Sequence, residues 1–286
     1  MRGIVLAGGT GSRLWPITKV VSKQLLPVYD KPMIYYPLAT LMLAGVREIL
    51  IITTPHDRSS FEMLLGDGSQ FGIRLSYATQ PKPEGLAQAF IIGKDFLAGD
   101  SCLMILGDNI FHGAGLGNEL ARTFPAKGAH IFTYEVSNPH DYGILTLNTL
   151  GKPVSIEEKP KHTKSNLAVT GMYFFDGEVS KNASLVKPSM RGELEITSLI
   201  EMYLHRNELS FTYLSRGIAW LDTGSVNAMH DASTYVRVLE ERTGLKIACL
   251  EEISLQNGWI TKLDIRRGIE RRGSTNYIDY LMKISN

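Results

Sequence analysis

The sequence predicts an α/β fold built on an open, mostly parallel sheet, and two patterns support this fold class. Through the first half of the chain, short apolar runs alternate with segments of helical periodicity. A strand, a helix and a second strand at this spacing need right-handed crossover connections, which place the strands side by side and parallel. In the middle of the chain, strand-like runs follow one another with little room for helices between them. We therefore expect a Rossmann-like first half that continues into a β-rich region.

The individual elements follow from these patterns in chain order. Buried apolar runs predict the strands, and apolar residues at helical spacing predict the helices, which include a short helix at residues 61–65. Two long amphipathic helices, residues 193–206 and 226–242, are expected after the β-rich region, and a short helix-like segment is expected from residue 245 onward. The other expected helices are residues 33–44 and 85–97, and the expected strands are residues 4–6, 46–53, 74–79, 102–106, 130–136, 143–147, 154–157 and 169–175.

Composition limits the classes of function. The chain has 286 residues, and its 30 Lys and Arg residues against 29 Asp and Glu residues give a formal net charge of +1. This balance does not favour nucleic acid or a membrane surface as a partner. No run is long and apolar enough to cross a bilayer, and residues 1–6 lack the apolar stretch of a signal peptide. Cys102 and Cys249 form no metal-ligand pattern, which suits a reducing compartment, so we expect a cytoplasmic protein.

A glycine-rich loop follows the first predicted strand. Gly8, Gly9 and Gly11 would let backbone N–H groups approach an anion closely, and a helix beginning beyond the loop would add its positive end. Arg13 offers a planar fork for phosphate oxygens, and Lys23 adds a point charge. Glycine-rich turns also occur in α/β folds without a ligand, and the glycines alone leave both interpretations open. The two cations favour a triphosphate ligand.

Two common nucleotide loops do not fit this segment. The Gly-Lys-Ser/Thr ending of a Walker loop is absent. A dinucleotide fingerprint that starts at Gly9 would need a glycine where Leu14 stands, and no acidic residue closes a second strand about twenty residues further on. The sequence therefore argues against a nicotinamide-dependent oxidoreductase.

Two carboxylates each follow an apolar run. Asp108 comes just after residues 102–106, and Asp222 follows residues 218–221. Ligands of open α/β sheets bind at the carboxyl edge of the strands, and a carboxylate there can hold Mg²⁺. Asp108 could instead be a capping residue, since Asp-Asn is ordinary turn chemistry. Together the two carboxylates predict a site for one or more magnesium ions.

Five motifs, in order along nearly the whole chain, resemble those of the sugar-1-phosphate nucleotidyltransferase family. The first resembles the family as a whole, and the later ones resemble one branch, the glucose-1-phosphate thymidylyltransferases. Any one motif is weak evidence, but five in order are specific. They occupy residues 8–18 with 22–27, 80–89, 106–111, 157–160 and 220–224.

The resemblance implies a fold of the nucleotide-diphospho-sugar transferase type. The core would span residues 1–242, with a nucleotide-binding part at about 1–125 and a sugar-binding part at about 126–242, followed by a helical segment at 243–286. It also implies an Mg²⁺-dependent reaction in which glucose 1-phosphate attacks the α-phosphorus of dTTP and releases pyrophosphate. The sequence leaves open UTP or another hexose phosphate as substrate, and a non-catalytic nucleotide-sugar sensor on the same fold. The resembling branch forms homotetramers with an end-product regulatory site at a subunit interface, and composition indicates neither property.

The resemblance also implies roles for individual residues. Arg13, Lys23 and Lys159 would be catalytic, and Asp108 and Asp222 would bind the metal. The expected nucleotide contacts are Gly8, Gly11, Ser12, Arg13, Lys23, Gln24, Gln80 and Gly85. The expected contacts of the sugar phosphate are Asp108, Asn109, Gly143, Glu158, Lys159 and Val169.

Several other side chains have simpler interpretations. Tyr142 and Trp220 are expected beside the sugar pocket. Core packing is the alternative for both, and for Trp220 it explains the residue equally well. His56 and His112 are expected to be turn or surface residues. The basic residues of the tail predict a solvated helical face; they are Lys262, Arg266, Arg267, Arg271 and Arg272.

Overall fold

The computed structural model describes residues 1–9, 11–270 and 273–286. Thr10 of the glycine-rich loop and the tail residues Arg271 and Arg272 lie outside the described residues. The strands are β1 (Arg2–Ala7), β2 (Pro27–Val28), β3 (Lys31–Pro32), β4 (Glu48–Thr53), β5 (Arg74–Thr79), β6 (Cys102–Leu106), β7 (Asn109–Gly113), β8 (Ala129–Glu135), β9 (Gly143–Leu147), β10 (Pro153–Glu158), β11 (Leu167–Phe175), β12 (Leu209–Tyr213) and β13 (Ile218–Asp222).

The helices flank these strands, and the longest is the expected amphipathic helix after the β-rich region. The helices are α1 (Tyr35–Leu43), α2 (Arg58–Leu65), α3 (Gln88–Ile92), α4 (Lys94–Leu97), α5 (Leu116–Thr123), α6 (Val179–Ala183), α7 (Ile196–His205), α8 (Val226–Thr243), α9 (Leu250–Gln256), α10 (Lys262–Ile269) and α11 (Asn276–Ser285). Within the described part of the chain, none has the length and apolar character that a bilayer-spanning helix needs.

The predicted α/β fold class is confirmed. Strands β5, β4, β1 and β6 lie side by side in that order and are parallel, with Leu6 paired to Ile52 on one side and to Leu106 on the other. Both faces of this part are covered, so β1 and β6 are almost wholly buried and carry apolar side chains on both faces. Their carboxyl ends meet at one edge of the sheet.

Strand β11 joins the parallel part to the β-rich region. It runs antiparallel to β6, β8 and β9, and β10 extends the sheet beyond β9. The pairing of β11 with β8 is interrupted between Val169 and Tyr173. This irregularity lies where β11 changes its neighbour from β9 to β6, and it brings Gly171 against the side chain of Asn109.

A separate two-stranded sheet closes one side of the parallel edge. Strands β7 and β13 are antiparallel, and their register places Asp222 opposite Asn109. The segment after β6 therefore returns as β7 to pair with a strand more than a hundred positions later in the chain.

The C-terminal helices pack on the core and not only on each other. Leu250 and Ile253 of α9 belong to the same buried cluster as Ile51 and Leu103 of the central sheet. The Ser254 hydroxyl donates to the carbonyl oxygen of Phe71 at 2.6 Å. Helices α10 and α11 form a smaller cluster with Cys249 and Ile260.

Two local expectations differ from the structure. The expected helix at 85–97 is two short helices, α3 and α4, which meet at Gly93. A β-carbon on Gly93 would lie 3.0 Å from the carbonyl oxygen of Ala89 and 3.1 Å from Ile4, so the chain is tightly packed at this point. His112 is half-buried in β7 and contacts the ring of Tyr235, and it is not a turn residue. Lys262, Arg266 and Arg267 are exposed on α10, as expected.

Candidate functional site

A cleft of about 380 Å³ opens at the carboxyl edge of the parallel strands. The glycine-rich loop leaves β1 there, and the amide of Gly107 after β6 donates to the carbonyl oxygen of Leu6 at 2.9 Å. Most of the predicted nucleotide contacts line this cleft together with Asp108. The lining residues are Leu6, Gly9, Gly11, Ser12, Arg13, Lys23, Gln24, Gln80, Pro83, Gly85, Leu86, Leu106, Asp108, Glu193 and Gly224.

The glycine-rich loop is followed by short 3-10 turns. The prediction of an α-helix directly after the loop is therefore wrong. Gly11 has a φ of +61°, a backbone conformation that glycine adopts without strain, and its carbonyl oxygen accepts a hydrogen bond from the Thr18 hydroxyl at 2.8 Å. Turns follow at Ser12–Leu14, Ile17–Lys19 and Lys23–Leu25. These turns place Arg13 and Lys23 in the cleft, so side-chain cations supply the positive charge that a helix dipole was expected to provide.

Two glutamines lie at the base of the cleft, where both are buried. The Gln24 amide oxygen accepts a hydrogen bond from the Ser22 hydroxyl at 2.6 Å. The Gln80 amide nitrogen donates to Gln88 Oε1 at 2.6 Å and to the carbonyl of Gly85 at 3.2 Å. These bonds fix the orientation of the Gln80 amide, since its nitrogen must face Gln88 and Gly85.

Two glycines allow the close packing around Gln80. A β-carbon on Gly8 would lie 2.4 Å from Gln80 Oε1. Gly85 has a φ of +105°, and a β-carbon there would lie 2.4 Å from the carbonyl oxygen of Leu194. The close approach that Gly85 permits in this structure is therefore to the main chain of Leu194.

Asp108 and Asp222 lie together beside the two loop cations. The Lys23 ammonium pairs with the Asp108 carboxylate, and both side chains are largely buried, with 12% and 13% of their surface exposed. A β-carbon on Gly224 would lie 2.7 Å from Arg13 Nη2 and 3.1 Å from Asp222 Oδ1, so Arg13 and Asp222 meet at this glycine. Two carboxylates and two cations therefore lie close together, and each carboxylate has a cation as a neighbour.

Burial and the neighbouring charges shift the pKa of the two carboxyls in opposite directions. Burial raises the pKa of Asp222, and the negative charge of Asp108 raises it further, although Lys23 and Arg13 oppose both effects. Burial alone would also raise the pKa of Asp108. The charge and hydrogen bond of Lys23 outweigh it, and they hold that pKa below its usual value.

Asn109 connects the carboxylates to the predicted sugar pocket. The Trp220 indole nitrogen donates to Asn109 Oδ1 at 2.6 Å, and Asn109 Nδ2 donates to Asp108 Oδ1 at 3.1 Å. The rings of Trp220 and Tyr142 lie 5.2 Å apart between centroids. The charges of Asp222 and Arg13 both act on the pKa of Tyr142, which burial raises. Both aromatics therefore adjoin the carboxylate pair.

The remaining predicted sugar contacts lie at the ends of β9 and β10. Glu158 is paired in register with Gly143, and the Lys159 amide donates to the carbonyl of Tyr142 at 3.0 Å. The Lys159 side chain is exposed, and its φ of 45° turns the chain at the end of β10. Burial raises the pKa of Glu158, and the charge of Glu195 adds to this increase. Val169 is buried in an apolar cluster, so its side chain offers no polar contact there.

The model of the nucleotidyl transferase family matches residues 2–238. The chain belongs to this nucleotidyl transferase family. A glucose-1-phosphate thymidylyltransferase of Neisseria meningitidis is 51% identical over 285 residues, which cover 99% of each chain. One from Mycolicibacterium smegmatis is 52% identical over 284 residues, again covering 99% of each chain. The predicted resemblance and the predicted enzyme class are confirmed.

Solved structures of the family agree with the fold. A Bacillus anthracis protein, provisionally assigned as a glucose-1-phosphate thymidylyltransferase and solved with sucrose, aligns with a TM-score of 0.76 at 40% identity. The alignment covers 83% of this chain and 95% of that protein. A UDP-glucose pyrophosphorylase with bound UDP-glucose aligns with a TM-score of 0.74 at 24% identity, covering 83% and 98% of the two chains. The latter similarity concerns the fold alone.

Members of the nucleotidyl transferase family generally use a divalent metal ion, and the residues of this cleft fit one. Among residues 1–9, 11–270 and 273–286, no group of three or more His, Cys, Asp or Glu side chains could hold a metal by itself. The chain instead offers Asp108 and Asp222. Mg²⁺ prefers oxygen ligands and usually keeps several water molecules or substrate phosphate oxygens in its coordination shell, so two carboxylates suffice.

Sequence reasoning missed several residues of this nucleotidyl transferase site. Glu193 lines the cleft, and Arg191 approaches the carboxylates of Glu158, Glu193 and Glu195 within 4 Å. Burial raises the pKa of the Tyr173 phenol, and the negative charges of Glu158, Asp108 and Asp222 raise it further. Tyr173 itself is buried in an apolar core cluster and does not line the cleft. No local pattern indicates Arg191 and Glu193, because they meet the cleft and Glu158 only in the folded chain.

Proposed function

We propose that this chain transfers a thymidylyl group from dTTP to α-D-glucose 1-phosphate, giving dTDP-glucose and pyrophosphate with Mg²⁺ as the cofactor. The observation that carries the proposal is the meeting of Asp108 and Asp222 beside Arg13 and Lys23 at the glycine-rich loop. The relatives with this activity in their names match nearly the full chain at about half identity. Their substrates, a nucleoside triphosphate and a sugar phosphate, suit a cleft with a cationic end and a polar end.

The chemistry asks for charge neutralisation and alignment more than for a protein nucleophile. A phosphate oxygen of the sugar phosphate forms the new bond to the α-phosphorus, and the bond from that phosphorus to the bridging oxygen of pyrophosphate breaks. Arg13 and Lys23 hold the triphosphate and stabilise the negative charge of the leaving group. A bound divalent cation supplies further positive charge to the phosphate oxygens. Because the reactants must be in line, the chain's main contribution is to fix their positions.

The two ends of the site recognise different substrates, the nucleotide at one end and the sugar phosphate at the other. The buried amides of Gln24 and Gln80 present donors and acceptors of fixed orientation, which suit the edge of a pyrimidine. At the other end, Glu158 is available to sugar hydroxyls and Lys159 to the attacking phosphate. Asn109 and Tyr142 lie between the two ends.

The direct test supplies glucose 1-phosphate and Mg²⁺ with each nucleoside triphosphate in turn and measures pyrophosphate release. We expect the highest kcat/KM with dTTP. Equal or better turnover with UTP would reject the thymidine preference and leave the same chemistry with UTP as the function. Tight nucleotide binding without pyrophosphate release from any pair would instead indicate a non-catalytic nucleotide-sugar sensor.

Removing one charge from the carboxylate pair tests the metal site. Asp108→Asn and Asp222→Asn are each expected to lower kcat by about 10²-fold or more, because each removes one of two anionic oxygen ligands. Asp100→Asn is the control, since Asp100 is an exposed residue that pairs with Arg2 outside the cleft. Near-normal turnover of either site variant would remove that residue from the proposed site.

We also propose that the protein is a cytoplasmic homotetramer with an end-product regulatory site at a subunit interface. The confirmed resemblance to the thymidylyltransferase branch supports these properties. Analytical ultracentrifugation measures the assembly, and a purely monomeric chain at micromolar concentration would reject it. Inhibition that dTTP cannot overcome, measured with a dTDP-linked deoxysugar, tests the second site.

A further inference from the structure

Thr223 connects the two strands that carry the carboxylates. It is fully buried between Asp222 and Gly224. Its backbone N–H donates to the carbonyl oxygen of Asp108 at 3.1 Å, and its hydroxyl donates to the same oxygen at 2.6 Å. Two donors from one residue on one oxygen fix the distance between the end of β13 and the start of β7.

The environment of Thr223 leaves its hydroxyl no alternative partner in water. Met33 Sδ lies 3.1 Å from the hydroxyl oxygen and is the other possible acceptor. Because Met33 is itself buried, the hydroxyl is enclosed between the sulfur and the carbonyl oxygen. A thioether sulfur is a weak acceptor, so the hydroxyl donates to the carbonyl oxygen of Asp108, and loss of that bond would leave this carbonyl with one donor fewer.

The same strand pair also orients the carboxylate of Asp108. Trp220 of β13 donates to Asn109 of β7, and this bond requires the Asn109 oxygen to face Trp220. The Asn109 amide nitrogen must then face Asp108 Oδ1, which it contacts at 3.1 Å. The backbone of Asp108 is therefore held by Thr223 and its side chain by Asn109.

Holding these carboxylates close has an electrostatic cost. Two ionised carboxylates in one buried site repel each other. Without a fixed connection, the strand ends would separate until a cation drew them together, and that rearrangement would reduce cation affinity. A pre-formed pair avoids this loss.

We propose that Thr223 is a positioning residue that sets the spacing of Asp108 and Asp222 and thereby the affinity of this site for a divalent cation. The proposal deepens the proposed function, because it specifies which buried group outside the ligand set controls cation binding. Thr223 does not touch the reacting atoms. It acts through the backbone of Asp108.

Three variants of the full-length protein test this role. Thr223→Ala removes the hydroxyl and retains the backbone bond, whereas Thr223→Ser retains the hydroxyl and removes only the methyl group. Thr40→Ala is the matched control, because Thr40 is also buried and its hydroxyl donates to a backbone carbonyl, that of Tyr36, within α1. Thermal unfolding of each variant reports whether the fold is intact.

The readout is Mn²⁺ binding to the enzyme without nucleotide, measured as free Mn²⁺ by electron paramagnetic resonance. Thr223→Ala is expected to bind Mn²⁺ about tenfold more weakly than the wild type, the usual effect of losing an outer-shell partner. Thr223→Ser and Thr40→Ala are expected to bind like the wild type. In the activity assay, Thr223→Ala is expected to need about tenfold more Mg²⁺ for half-maximal rate, with the KM for glucose 1-phosphate unchanged.

Different results would contradict the role of Thr223 and the proposed function. Equal Mn²⁺ affinity of Thr223→Ala and Thr40→Ala would overturn the role of Thr223, as would a Thr223→Ser variant as weak as Thr223→Ala. A wild-type chain that releases pyrophosphate but binds no Mn²⁺ would also overturn it. By contrast, the expected ranking of Mn²⁺ affinities without any pyrophosphate release would support the role of Thr223 and reject the proposed function.

Discussion

Arg13 and Asp222 approach each other only because residue 224 has no side chain. A β-carbon at Gly224 would lie 2.7 Å from the Arg13 guanidinium, closer than ordinary van der Waals contact. The conformation of Gly224 is not the reason for a glycine here, because its φ lies outside the left-handed region. The space that the guanidinium occupies is the reason. A single hydrogen atom in place of a methyl group therefore sets the position of a predicted phosphate ligand.

Gly224→Ala should displace Arg13 without unfolding the protein. We expect kcat/KM for dTTP to fall by about 10²-fold, the effect of a displacement of about 1 Å in a reacting site. Steady-state kinetics measure this change. Gly217→Ala is the control, because its β-carbon would have no neighbour closer than 3.9 Å and it lies just before the same strand. Activity of Gly224→Ala within twofold of the wild type would show that Arg13 does not need its present position.

Lys159 offers a second prediction at the scale of one residue. Lys159→Ala should raise the KM for glucose 1-phosphate by about tenfold or more, because a charge-assisted hydrogen bond to a phosphate would be lost. The KM for dTTP should hardly change. Lys161→Ala, two positions along and equally exposed, should leave both constants near normal. If Lys159→Ala altered only the KM for dTTP, the role proposed for Lys159 would be wrong.

At the scale of elements, a buried group of four charges joins the hairpin β2–β3 to the end of α8. Glu240 accepts hydrogen bonds from Lys31 at 3.0 Å, from Lys246 at 2.6 Å and from the amide of Ile247 at 2.9 Å. Asp30 pairs with both lysines and balances their charge. Since Lys31 is only 3% exposed, its ammonium depends on these two carboxylates.

Glu240→Ala should destabilise the protein strongly, because it leaves two largely buried lysines with one carboxylate. The expected loss in the free energy of unfolding is about 3–5 kcal/mol, measured by urea denaturation. Glu241→Ala is the neighbouring control, since its pair with Arg237 is exposed and should contribute about 0–1 kcal/mol. Equal losses in the two variants would mean that the buried charge group does not stabilise the contact between the hairpin and α8.

The elements that could be predicted are those whose signal is local. Strands such as β1 and β6 are continuous apolar runs, and α8 has a clear helical period that ends at Gly244. Strand β7, with Asn109 and His112 among its five residues, carries no such signal. Its partner β13 lies more than a hundred residues away, and the pairing of Asn109 with Asp222 is fixed only when both strands are in place.

The residues of the site also divide into those with a local sequence signal and those without one. The positions of Arg13, Lys23, Asp108 and Asp222 could be proposed from motifs, because each lies in or next to a recognisable segment. Glu193 lines the cleft from the segment between α6 and α7, which carries no motif. Thr223 lies inside a motif at residues 220–224, yet only its contact with the carbonyl of Asp108 reveals what it does.

At the scale of the whole molecule, helix α9 of the C-terminal segment shares the core of the sheet. Leu250 of α9 is fully buried in the cluster that includes Ile51 and Leu103. The predicted boundary at residue 243 therefore separates two segments of sequence that contribute to one hydrophobic core. A segment that shares a core unfolds together with it.

Leu250→Ala should lower the free energy of unfolding by about 2–5 kcal/mol and leave a single transition. Urea denaturation followed by both tryptophan fluorescence and circular dichroism measures this, since Trp259 lies in the C-terminal segment and Trp220 in β13. Leu263→Ala is the control, because that side chain is 53% exposed and should cost less than about 0.5 kcal/mol. Two separate transitions would show that residues 243–286 form an independent unit.

The antiparallel pair β7–β13 has one more consequence. Because Asp108 and Asp222 are distant along the polypeptide, the unfolded chain does not hold the two carboxylates in position to bind one ligand together. Whatever bridges them therefore favours the native ensemble by mass action, by about 2.7 kcal/mol at a concentration one hundred times its dissociation constant. The resistance of this enzyme to denaturation would then depend on how much of that ligand its surroundings contain.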